Sequence, residues 1–147
     1  MKRLSLFAFA AVASAALPLS AAAQARRLDV DRLPSSDVAG ARRTLVALDA
    51  QGRPAVMLLR IEKGQLLPPH GGEGGLRLIT VVSGHLSWGD GGIVDPAAER
   101  VFGPGSLIVL PVVGGEHWAA ARQDDVLLQI TPLRDGSIAP DSAREAP

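Results

Sequence analysis

His70, His85 and His117 are the only imidazoles in the chain, and there is no cysteine. Any metal site must therefore be built from imidazole and carboxylate, since thiolate sites, Fe–S clusters and a thiol nucleophile are excluded. His70 runs into a glycine-rich stretch, Gly71 to Gly75, that carries Glu73. Backbone N–H groups in such a stretch could cradle a phosphate, but this one holds an acid and precedes a strand rather than a helix. No Gly-x-Ser-x-Gly elbow, Gly-x-x-x-x-Gly-Lys phosphate loop or His-Glu-x-x-His helix occurs, so the chemistries those motifs serve are set aside.

From Thr44 onward the scaffold for these side chains reads as short strands. The apolar runs Thr44 to Leu48, Ala55 to Ile61, Leu76 to Val82, His85 to Trp88, Ser106 to Leu110 and Val126 to Ile130 are each four to seven residues long, which is strand length. Between them lie Gln51-Gly52-Arg53-Pro54, Lys63-Gly64, Pro68-Pro69, Gly71 to Gly75, Gly89 to Gly92, Gly103-Pro104-Gly105 and Gly114-Gly115, all turn chemistry. No window after residue 44 sustains an apolar 3.6 period for three turns, so a helical bundle is excluded and a sandwich or barrel is expected. By strand period Trp88 faces inward with Leu86, while His85 faces solvent. Residues 26–43 read as a surface lead-in with at most a short turn or edge strand, 44–133 as the barrel, and 134–147 as a polar arm. Arg42-Arg43 and Asp124-Asp125 read as solvated charge, the latter in a hairpin turn.

The start of the chain has a different character. Lys2 and Arg3 precede the uncharged stretch Leu4 to Leu17, and Ala23-Gln24-Ala25 supplies the small residues of a cleavage site. This is the layout of a secretory signal peptide over residues 1–25, cut before Arg26 or before Gln24. Fourteen uncharged residues fall short of the roughly 20 that span a bilayer, so no stable membrane anchor is expected after cleavage, and the protein is expected to be periplasmic or secreted. Removal of the leader leaves 13 basic against 15 acidic side chains, a net charge of −2. That balance argues against nucleic acid or anionic lipid as the main partner. About 122 residues remain, enough to bury a core without disulfide or metal staples.

The segment Gly64-Gln-Leu-Leu-Pro-Pro-His70-Gly-Gly72, followed by Arg77-Leu-Ile-Thr-Val-Val-Ser-Gly84, resembles the first motif of the cupins: Gly, five residues, His-x-His, four residues, Glu, six residues, Gly. Gly105-Ser-Leu-Ile-Val-Leu-Pro111 with Gly114-Gly-Glu-His117 resembles the second. The likeness spans roughly residues 55 to 133, with both motifs in order and at the separation of a small single-domain bacterial cupin. It implies an all-β, antiparallel jelly-roll barrel of roughly six to eight strands with an interior lined by alternate residues. It also implies pairing into a homodimer through edge strands. With His117 inward, its neighbour Trp118 is expected outward, and an exposed Trp there would mark a dimer face or ligand rim.

In cupins a metal is usually held by the two histidines and the glutamate of the first motif and the histidine of the second. Here His70 and His117 match, but the second His position is Gly72 and the Glu position is Arg77. A guanidinium cannot ligate, and an inward Arg77 puts a fixed positive charge where a divalent ion would sit. Three arrangements stay open. In the first, His70, Arg77 and His117, with Trp88 as a wall, bind a small polar or anionic ligand without metal. In the second, Glu73 swings in to complete a set of His70, Glu73 and His117 around one divalent transition metal (Fe, Mn, Ni or Zn), giving an enzyme of oxygenase or isomerase type. Glu116 is a weaker substitute, since it should point away from its neighbour His117. In the third, Arg77 pairs with Glu73 and the barrel is structural or partner-binding.

Overall fold

Alternating apolar residues in short runs can be buried only if strands pair and one sheet face meets another. The computed structural model describes residues 25–71, 75–112 and 114–134. The expected leader up to Gln24, the polar arm beyond Arg134, and Glu73 lie outside the described residues. Ten strands follow in order: β1 Ser35–Val38, β2 Ala41–Leu48, β3 Pro54–Ile61, β4 Leu66–Gly71, β5 Arg77–Ser83, β6 Leu86–Asp90, β7 Arg100–Phe102, β8 Leu107–Leu110, β9 Glu116–Ala120 and β10 Val126–Pro132. The only helical pieces among the described residues are two 3-10 turns, Val30–Arg32 and Pro96–Ala98.

All pairings are antiparallel. One sheet has the order β1-β2-β3-β10-β5-β8 and the other β4-β9-β6-β7. Their inner faces share one core, with Leu59, Ile61, Ile79, Val81, Val126 and Leu128 from the first sheet against Leu67, Leu86, Trp88 and Ala119 from the second. Ile61, Val81 and Leu86 are wholly buried, each contributing roughly 1.5–3 kcal/mol by removal from water. Leu86 and Trp88 face inward as expected, beside Ile79 and Val81, with Ile108 partly buried against them.

The structure differs from the sequence expectation in three places. The sheet begins earlier than residue 44, because Ala39-Gly40 forms a two-residue hairpin with φ of 45° and 88° that pairs β1 with β2. Such a turn needs positive φ at both positions, which an alanine seldom adopts, so its sequence does not advertise it. Pro68-Pro69 lies inside β4 rather than in a turn. β4 is an edge strand with an irregular register between Leu67 and His70, where the missing N–H groups cost little. The third difference is Trp118, which faces away from the interior but is wholly buried rather than exposed. Its cross-strand partner is Gly89, and a Cβ there would fall 2.1 Å from the indole. The Arg122 guanidinium lies 5.9 Å from the Trp118 ring centroid and is paired with Glu99 at 3.1 Å. Trp118 is therefore a packing residue of the outer face, and it marks no rim.

Candidate functional site

Pairing of β4 with β9 sets His70 directly opposite His117. The two rings lie 4.4 Å apart between centroids at an interplanar angle of 58°. On the other side of His117, the Trp88 indole from β6 stacks on the imidazole at 4.4 Å and 10°. Arg77 comes from the opposing sheet, at the start of β5, paired with Leu110 on β8 and Pro132 on β10. These four side chains line a cavity of about 40 Å³ whose remaining walls are apolar, among them Leu67, Ile79, Leu128 and Ile130. His70 is exposed and stands at the mouth, while His117 is 7% exposed.

The protonation states follow from these surroundings. His70 Nδ1 lies 2.7 Å from the Pro68 carbonyl oxygen, which can only accept, so Nδ1–H is the donor and Nε2 is left to face a ligand. Burial pushes the His117 imidazole down to about 4, with His70 and Arg77 adding to the effect and Asp90 opposing it. His117 is therefore neutral at pH 7. Arg77 keeps its charge, and its Nε is buried without a hydrogen-bond partner among the described residues. An unsatisfied donor on a charged group costs free energy that an incoming acceptor would recover.

Donor chemistry for a metal is thin in this arrangement. Among the described residues no three or more His, Cys, Asp or Glu side chains converge. Glu116 is exposed and its Oε2 lies beside Gly92, away from the cavity. Two imidazoles facing a guanidinium do not fit a divalent cation, which the fixed charge repels at short range in a low-dielectric space.

Asp90 is a residue that the sequence did not single out. Its Oδ1 accepts from Trp88 Nε1 at 2.9 Å, and its Oδ2 accepts from Arg100 at 2.5 Å. Its position two residues after Trp88, on the same face of β6, was the available signal, obscured by the surrounding glycines. His85 lies at the surface, half exposed, with its N–H and Nδ1 held by the Asp124 carboxylate at 2.8 and 3.0 Å. Asp124 and Asp125 are thus more than solvated charge, since Asp125 also accepts the Lys63 N–H at 2.8 Å. Arg42 and Arg43 are exposed and reach Ser35 and Ser36.

No protein-family model matches the chain, and neither does any curated protein. Solved structures do. The chain is similar to KdgF from Halomonas sp., at 24% identity over 76% of this chain and 97% of that one, with a TM-score of 0.51. It is similar to a sugar phosphate isomerase from a cupin superfamily of Silicibacter pomeroyi, at 20% identity over 74% and 76% of the two chains, with a TM-score of 0.51. Drosophila melanogaster CENP-C, solved bound to CAL1, shares the fold at 12% identity over 70% and 82%, with a TM-score of 0.56. The chain has the cupin fold, a fold that serves proteins of unrelated function.

Proposed function

We propose that this cupin-fold barrel binds a small anionic or polar molecule in its interior, held by Arg77 with His70 and His117 and walled by Trp88. The observation that carries the reading is the buried Nε of Arg77, without a partner among the described residues, in a cavity that holds two imidazoles. No carboxylate lines that cavity among the described residues. A charged donor in such a place is stabilised by a carboxylate-like acceptor, which a guanidinium can meet with two parallel N–H bonds. Arg77→Leu should abolish ligand-induced thermal stabilisation while leaving the fold intact; full stabilisation in that variant would remove the basis of the reading.

The competing reading, a metal-dependent enzyme using His70, Glu73 and His117, has one feature in its favour. A His whose Nδ1–H is held by a backbone carbonyl, as in His70, presents Nε2 in the manner of a metal ligand. It needs a carboxylate from outside the described residues, and it needs Arg77 to turn away. A purely structural barrel is disfavoured by the cavity itself.

The protein is further proposed to be exported, on the strength of its basic head, apolar stretch and small-residue cleavage site. It is also proposed to pair as a homodimer through β8. That edge strand leaves Leu107 and Val109 exposed and carries no charge to discourage pairing. Cell fractionation with mass spectrometry, and sedimentation, check the two points: protein retained inside the cell with an intact Met1 start would contradict export, and a strict monomer would contradict pairing.

A further inference from the structure

Accepting that the interior takes an anion, Trp88 decides how large that anion can be. A void of about 40 Å³ is small beside the roughly 300–1,000 Å³ of ordinary ligand pockets. At roughly 10–15 Å³ for each water held, it has room for about three or four non-hydrogen atoms. The largest side chain on its wall is the Trp88 indole, which is 3% exposed.

The indole is also fixed in place. One face stacks on His117 at 4.4 Å, and its Nε1 donates to Asp90 at 2.9 Å. Asp90 is itself held by Arg100. Swinging the ring aside would break both the stack and the hydrogen bond, which gives the opening of this wall a cost. Small planar oxyanions suit the remaining space. Their oxygens can reach a guanidinium edge, and Arg77, His70 and His117 line the same void.

We infer that the site selects planar oxyanions of about three or four non-hydrogen atoms, the formate and acetate class, and that Trp88 is the residue that excludes larger carboxylates. The inference rests on the anion-binding reading above, and the two can fail separately. The test is calorimetric titration of the full protein with formate, acetate and benzoate at neutral pH, where all three are ionised. Wild type should bind formate or acetate and take benzoate at least about tenfold more weakly. Trp88→Ala should raise benzoate affinity relative to formate by about tenfold or more; Trp88→Leu serves if the alanine variant does not fold. Wild type that binds benzoate as well as acetate, or substituted proteins in which benzoate affinity relative to formate is unchanged, would overturn the size limit and leave anion binding standing. Absence of binding by all three anions would overturn both.

Discussion

His117 is a buried imidazole between an indole and a second imidazole, within the field of a guanidinium. Its folded value of about 4 lies below the ordinary 6.5, so the unfolded chain takes up this proton first. Its contribution to stability is therefore fully present above pH 6.5 and is lost as pH falls toward 4, with a slope of at most about 1.4 kcal/mol per pH unit. An anion beside the ring reverses the balance, because it favours imidazolium. Saturating formate should thus move the His117 midpoint upward, and anion affinity should rise as pH falls from the bound midpoint toward 4. Proton NMR of the imidazole checks this. A midpoint near 6.5 in the free protein, or one that formate leaves in place, would contradict it. At this scale the sequence was informative about residue identity but not about environment. His70 and His117 stood at matched positions, whereas nothing in the sequence said that Trp88 would stack on His117 or that Asp90 would hold the indole.

At the scale of elements, the two motif glycines Gly64 and Gly84 do different work. Both have positive φ, 85° and 80°, but a Cβ at Gly64 would meet open space. At Gly84 a Cβ would lie 2.2 Å from the Asp125 carbonyl oxygen, where the β5–β6 and β9–β10 turns touch. Gly64→Ala should therefore cost only the left-handed backbone penalty, about 1–2 kcal/mol, while Gly84→Ala should cost clearly more, because backbone must move. Urea unfolding of the two variants gives the comparison, and equal losses would refute the close-approach argument. The same two turns are joined by the Asp124 carboxylate on His85. That contact holds the Asp124 carboxyl below its usual range, chiefly through the His85 hydrogen bonds. Strands rich in alternating Val, Ile and Leu, such as β3, β5 and β10, were legible in the sequence. The strands that hold the histidines were not. β4 carries two prolines tolerated only at an edge, and β9, Glu116-His-Trp-Ala-Ala120, lacks a β-branched residue to mark it. The site thus joins two conspicuous strands, which carry Arg77 and Trp88, to two inconspicuous ones, which carry His70 and His117.

On the scale of the whole molecule, the two sheets bring an arginine from one and two histidines from the other into a single apolar cavity. The fold was legible because glycine and proline punctuation, strand length and two ordered motifs all agreed. The occupant of the cavity was not, because it turns on whether the Arg77 donor meets a partner there. A barrel with a fixed internal cation binds an anion; one whose cation turns aside and whose Glu73 swings in binds a metal. No helix among the described residues is long and apolar enough to cross a membrane. The most direct measurement is elemental analysis of the processed protein, purified without chelator or affinity tag and then incubated with Fe, Mn, Ni and Zn. The account predicts no stoichiometric transition metal under any of these conditions. Near-stoichiometric metal, lost on His70→Ala or His117→Ala, would contradict it and make Glu73 the missing ligand.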